Sequence, residues 1–353
     1  MARPGNSYSR AVPRPRIPFG TKPEVTARRF VDDCYRRLLG RPADPTGLEH
    51  FVNEMQRGMS PADVVMGLAT SSEYRWRVVA SALPRRRRPD RYHLAVDLSG
   101  TSPFLAFDVE DASDFDWLEG AIIDDGYYEH GGVWNLEPDA DKRVMGELLA
   151  SLQPQRALEI GCSSGTVLQV LSELGVDAEG VEISRMAHDH AAPEIRPRIH
   201  VGDVLDLELP SDYDLVFGLD VFEHLNPNRL TRYCEALRER VRPGGWLFAN
   251  IPAFGRDEVF GEVFPVYVAQ WEHDIAVDRP FRTLHCDDDG YPVNGHLIWA
   301  HTTWWVAQFE AAGFVRQPDV ERRLHERFAD HLRVTPARRS FYVFRADGAD
   351  EDG

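Results

Sequence analysis

Between residues 156 and 251, short apolar runs alternate with helix-length stretches, and that alternation constrains the fold of this chain more than any other feature. The apolar runs lie at 156–160, 179–183, 213–219 and 246–251; helical spacing marks 164–174, 228–241 and, further on, 302–312. Runs rich in Val, Ile and Leu, with no polar alternation, suit strands buried on both faces of a parallel sheet. Strands alternating with helices imply an α/β, Rossmann-like doubly wound sheet, which holds its ligand beyond the carboxyl ends of its strands.

The first such end is "LEIGCSSGTVLQVL". Here "ALEI" is the strand and Gly161 to Gly165 the loop; Val167, Leu168, Val170, Leu171 and Leu174 form one helix face, ended by Gly175. Gly161 permits a tight bend, and Gly165 lets the helix start approach the strand and its ligand. A dinucleotide turn requires G-x-G-x-x-G, with the middle glycine making room for a pyrophosphate. Ser163 stands at that place and the third glycine is missing, so a nicotinamide cofactor is the weaker choice. Glu182 ends the second strand, where a carboxylate accepts from both hydroxyls of a ribose. Asp203, in "HVGDVLDLEL", follows a third apolar run, where it can accept from an adenine amino group. The set describes an adenosine site without a diphosphate.

These residues resemble the class I methyltransferases that use S-adenosylmethionine. The resemblance spans roughly Leu148 to Arg345 and rests on "LEIGCSSG", Glu182, "GDV", "YDLVFGLDVFEHLNP" and "VRPGGWLFANIP" in order, with "SFYVFRA" as a last, antiparallel strand. It implies cofactor contacts from Glu159, Gly161, Cys162, Ser163, Gly165, Glu182, Ile183, Asp203, Val204, Leu219 and Asp220. Methyl transfer from a sulfonium is an in-line displacement, so the protein mainly aligns the partners and excludes water. A hydroxyl acceptor also benefits from a base. His224, with Glu223 beside it in "LDVFEHLNP", is the candidate base, its ordinary pKa near 6.5 suiting neutral operation; a purely structural role, tying the strand end to the following helix, is the alternative. Asp220-x-x-Glu223-His224 with His296 further on also resembles the metal-binding pattern of the small-RNA 2′-O-methyltransferases, with His301 in reserve. That likeness implies a divalent ion, Mg or Mn, able to lower the pKa of a sugar hydroxyl. The same Glu-His pair also occurs in metal-free quinone-precursor O-methyltransferases.

Residues 253–300 interrupt the sheet and read as a substrate lid, with Trp271, His273, His285 and the acidic "CDDDG" as candidate lining. "GYYEHGGVW" at 126–134 is expected to close over the cofactor, with Tyr127, Tyr128 or His130 at its methionine end.

Ahead of this domain, residues 1–24 read as a disordered basic tail, 25–80 as a helical module, 81–110 as an Arg/Pro-rich linker and lead-in, 111–346 as the methyltransferase domain and 347–353 as an acidic tail. The module shows apolar steps of three and four, broken by "GRPADPTG" and by "RGMSP", where Ser60 and Pro61 can start a helix. It resembles a small helical domain of unknown function found in bacterial surface-associated and glycan-related proteins, which favours a partner-docking role over calcium binding at Asp44.

Residues 1–91 carry 18 Lys/Arg against 9 Asp/Glu, and the remainder 22 against 48, so the catalytic body disfavours nucleic acid. The four cysteines form no C-x-x-C pair, and no apolar run is long enough to span a bilayer. With no secretory leader pattern in the basic N-terminus, a cytoplasmic location is expected. The expected function is O-methylation of a sugar, glycan or small natural product. N-methylation and a non-catalytic cofactor-binding scaffold are the alternatives.

Overall fold

The computed structural model describes residues 23–71, 73–74, 89–100, 102–129, 138–287 and 289–347. The basic tail up to residue 22, the arginine run at 85–88, His130 and the acidic tail beyond residue 347 lie outside the described residues. The chain divides into two compact units, Met1–Ser81 and Ala82–Gly353.

The first unit is helical, as its spacing requires. Helix α1 (Pro23–Cys34) runs into a π-helical turn, Tyr35–Leu39; α2 (Pro45–Gln56) and α3 (Pro61–Ala69) follow. Both later helices begin with a capping side chain and a proline, whose missing N–H costs nothing in a first turn. Asp44 accepts from the Gly47 amide at 2.8 Å and pairs with Arg41, so it serves as a cap. Ser60 and Asp63 form a reciprocal capping box. Val31, Tyr35, Val52, Val64 and Leu68 make the core.

The second unit opens with β1 (Tyr92–Val96), β2 (Pro103–Asp108), α4 (Ala112–Asp124) and α5 (Ala140–Ala150). Then come β3 (Arg156–Ile160), α6 (Thr166–Glu173), β4 (Asp177–Glu182), α7 (Arg185–His190), β5 (Ile199–Val201), β6 (Tyr213–Leu219), α8 (Leu230–Arg240) and β7 (Val241–Asn250). The insertion holds β8 (Arg256–Asp257), β9 (Gly261–Glu262), α9 (Ala269–Ala276) and β10 (Thr283–Cys286). The chain closes with α10 (Thr302–Ala311), β11 (Phe314–Arg316), α11 (Pro318–Arg327), α12 (Ala329–Val334) and β12 (Phe341–Ala346).

Seven strands form the central sheet in the order β11-β12-β7-β6-β3-β4-β5. β12 alone runs antiparallel to its neighbours, the place expected for "SFYVFRA". Helices cover both faces over cores that include Leu158, Val216, Phe222 and Trp305 on one side and Leu168, Leu215, Phe217 and Phe248 on the other. The order reverses between β3 and β6, which opens the crevice where doubly wound sheets bind ligands.

The insertion is more structured than its lack of period suggested. β10 pairs with β2, which pairs with β1, so the lead-in and the insertion share one antiparallel sheet. Its filling is aromatic. Trp271 is fully buried, stacks on Phe281 at 4.5 Å between ring centres and donates its indole N–H to the Thr283 carbonyl at 2.8 Å. The expectation that Trp271 lines a substrate cover is therefore corrected: a small sheet without long apolar strands draws its core from large rings, and this ring is used there. His285 packs on Phe104 and bonds Tyr267, while His273 is exposed on α9. Trp271→Ala is expected to cost about 3 to 5 kcal/mol in denaturant unfolding; a loss below about 1 kcal/mol would contradict this core role.

Candidate active site

The turn after β3 takes its shape from two left-handed glycines and one left-handed serine. Gly161 has φ 69°, Ser163 φ 51° and Gly165 φ 74°. A Cβ on Gly161 would stand 2.5 Å from Val221, and one on Gly165 2.5 Å from Ile195, so close packing as well as conformation requires glycine at both. Ser163 adopts the conformation that the absent middle glycine would have supplied. Gly180, in β4, was not anticipated: a Cβ there would collide with Cys162 at 2.5 Å.

Glu182, at the end of β4, fastens this turn. One carboxylate oxygen accepts from the Ser163 amide and the other from the Ser184 amide, each at 2.7 Å. Asp203 accepts from the Leu205 amide at 2.9 Å and from the Tyr233 hydroxyl at 2.7 Å.

Both carboxylates lie on the wall of a cavity of about 250 Å³ at the crevice, together with Gly161, Ile183, Val204, Asp220 and His224. Glu159, Cys162, Ser163, Gly165 and Leu219 do not line it. Glu159 lies in β3 and Leu219 in β6, and Cys162, Ser163 and Gly165 belong to the turn between β3 and α6. Glu159 and Cys162 are buried, and burial lifts the Glu159 carboxyl to about 8.

Part of the wall has no motif to announce it. Glu119, Ile122 and Ile123 reach it from α4, and Arg229, Tyr233 and Leu297 complete it. Helix α4 is held over the cavity by polar contacts: the Asn226 amide donates to Asp116 and Glu119 at 2.8 and 2.9 Å, Asn228 donates to Asp116 at 2.8 Å, and Arg229 pairs with Glu119.

At the other end stands His224, in a short 3-10 turn after β6. Tyr128 meets its Nδ1 at 3.2 Å, whereas the sequence suggested the cofactor's methionine end for this tyrosine. His296 arrives from the insertion, 4.7 Å away between ring centres, brought in by the Ile298 amide bonding the Glu223 carbonyl at 2.8 Å. Burial pushes His224 down to about 4, opposed by the negative charge of Asp220 and a backbone hydrogen bond to Gly295. The premise of an ordinary imidazole is thus corrected: the packing around this half-buried ring disfavours its cation and holds its pKa below the ordinary value.

Glu223 sits behind His224, fully buried and off the cavity wall, with no hydrogen-bond partner for either carboxylate oxygen. Burial, then Asp220, raises its pKa well above the carboxylate range. Glu223, His224 and His296 bring ligand atoms within 4.8 Å of one another. Asp220, expected as a fourth member, turns instead to Arg338 at 2.5 Å. His301 caps α10 through Thr303 and is likewise outside the cluster.

Among known families, the one described as a methyltransferase domain matches residues 137–316, and a domain of unknown function, DUF4214, matches 19–78. The ubiquinone biosynthesis O-methyltransferase of Bordetella avium is 32% identical over 110 residues, 29% of this chain and 44% of that protein. Its counterpart in Paraburkholderia phymatum is 27% identical over 140 residues, 36% of this chain and 59% of that protein. The chain spans about half the length of the curated relatives it matches. Among solved structures, the Burkholderia thailandensis 1,6-didemethyltoxoflavin N1-methyltransferase with bound S-adenosylhomocysteine is 13% identical, covering 72% of this chain and 100% of that one at a TM-score of 0.44.

Glu182→Gln places an amide N–H₂ against one of the two backbone N–H groups. It is expected to weaken S-adenosylhomocysteine binding at least about tenfold by calorimetry, the cost of one unsatisfied buried donor; unchanged affinity would contradict the bridging role. With the family match extending over half of its residues, the chain belongs to the methyltransferase domain family and has that family's class I, S-adenosylmethionine-dependent fold.

Proposed function

We propose that this chain transfers the methyl group of S-adenosylmethionine to a hydroxyl of a sugar, glycan or small natural product, with His224 taking the proton. The observation that carries this reading is one cavity with Glu182 and Asp203 on its wall and a half-buried imidazole of lowered pKa facing the same space. The two carboxylates suit a ribose diol and an adenine amino group. The acceptor oxygen attacks the methyl carbon, the carbon–sulfur bond breaks, its electron pair stays on sulfur, and the hydroxyl proton passes to the imidazole. One positive charge is present before and after the step, first on sulfur and then on the ring, so the buried site is never asked to hold a second.

Acceptor chemistry follows from what surrounds His224. Tyr128 and Leu297 share its cavity, Tyr127 packs against both Tyr128 and Tyr291, and rings of this kind offer apolar faces and hydroxyls to a polyol. The curated relatives are named as O-methyltransferases. The helical module is assigned to partner docking; Asp44 and Asp63 act as caps and Arg41 pairs with Asp44 and Glu73, so these groups are engaged within the module itself.

A divalent ion is a second reading, favoured by the orphaned carboxylate oxygens of Glu223 beside two imidazoles. Glu223, His224 and His296 would hold it; Asp220, paired with Arg338, would not. Such an ion would lower the pKa of a bound hydroxyl.

His224→Gln is expected to lower methyl incorporation into a hydroxyl acceptor about 100- to 10,000-fold while changing S-adenosylhomocysteine affinity less than about threefold. Retained turnover with an amine acceptor would favour N-methylation, and cofactor binding without any methylated acceptor would favour the scaffold. Chelation followed by magnesium or manganese tests the ion: it is expected to abolish and restore turnover if the second reading holds, and unchanged turnover leaves His224 as the sole base.

A further inference from the structure

Arg338 lies in a short turn ahead of β12, outside the stretch that matches the methyltransferase family. Its side chain is 12% exposed. Nη1 donates to Asp220 at 2.5 Å and to the Asn250 side-chain oxygen at 2.6 Å, and Nε donates to Asp141 at 2.9 Å. Asp141 has further cationic company in Lys142 at 3.8 Å and contacts His331 at 2.9 Å. Asn250 ties the same knot through other atoms: its carbonyl accepts from the Asp220 amide at 3.0 Å, and its side chain donates to the Ser340 carbonyl at 2.7 Å. The ends of β6 and β7 and the approach to β12 thus converge on one cation.

The residue this arrangement controls is Asp220. It holds a left-handed backbone, φ 53°, that side-chain-bearing residues rarely adopt, and it lines the cavity four positions before His224. With adenosine at Glu182 and Asp203 and the acceptor at His224, the sulfur that carries the methyl group occupies the space between, along the wall to which Asp220 belongs. The sulfonium is cationic in the bound cofactor and loses that charge as the methyl leaves. A free carboxylate beside it would stabilise the ground state more than the transition state and slow the transfer.

We infer that Arg338 is a positioning residue that neutralises and orients Asp220 on the cavity wall, so that the site does not favour the sulfonium over the neutral thioether product. The inference rests on the methyl-transfer reading above. It differs from a purely structural role in one measurable respect: loss of a structural brace weakens both sulfur nucleosides alike, whereas loss of the countercharge separates them by their charge.

Calorimetric titration of the full chain with S-adenosylmethionine and with S-adenosylhomocysteine tests it. Arg338→Gln is expected to raise the affinity ratio of the first over the second about fivefold or more, the scale of one partly screened charge pair. Arg338→Lys, which keeps the charge, and Arg338→Gln with Asp220→Asn, which removes both charges, are expected to stay within about twofold of the wild-type ratio. Asp220→Asn alone removes the carboxylate from the cavity wall and leaves Arg338 paired with Asp141 only; it is expected to lower the ratio about fivefold, a readout that remains if Arg338→Gln does not fold. Equal loss of both affinities in Arg338→Gln, or an unmoved ratio in Asp220→Asn, overturns the inference and leaves the methyl-transfer reading standing. Wild-type protein that binds neither nucleoside overturns both.

Discussion

The Glu182 carboxylate, clamped between the amides of Ser163 and Ser184, is the interaction on which the rest of the site depends. It joins the loop after β3 to the loop after β4, which are adjacent in the sheet but carry no direct chain connection there. Two hydrogen bonds at 2.7 Å fix the position of the carboxylate. The strained φ of Ser163 is tolerated because that residue's own amide is one of the two donors. Everything downstream, from the opening of the cavity to the direction in which a ribose would lie, follows from that clamp.

The acceptor end is built on a different principle. Here burial rather than pairing tunes the titratable groups: it pushes His224 and His296 down and Glu223 up. On the proposed reading, a cationic cofactor entering such a site would meet little competing charge, and the ring would take the proton released by the acceptor. The charged groups nearby, Asp220 and Asp141, share Arg338 as a common ion-pair partner. Ordered charge at the nucleoside and withheld charge at the acceptor share one cavity, and the contrast between them gives the site its direction.

The central sheet was legible in the sequence to within a few residues, because its strands are short apolar runs with no competing period. β3 and β6 fall on 156–160 and 213–219 as expected, and the glycine turn and the acidic strand end stand where doubly wound sheets bind ligands. What surrounds the sheet was not legible. Trp271 was read as a lid residue because aromatic side chains in a long insertion suit either a ligand or a core, and only the pairing of β10 with β2 decides between them. Helix α4 contributes to the cavity through contacts with residues more than 100 positions away, which no local spacing encodes. Asp220 and Glu223 lie on one short turn, yet one is drawn outward by Arg338 and the other is folded inward, a separation set by partners the motif does not contain.

The most direct test of the central claim is the structure of this chain with S-adenosylhomocysteine. The account predicts the ribose diol within hydrogen-bond distance of Glu182, the adenine amino group facing Asp203 and the sulfur directed toward His224. A ligand lodged elsewhere, or one whose ribose does not meet Glu182, would contradict it.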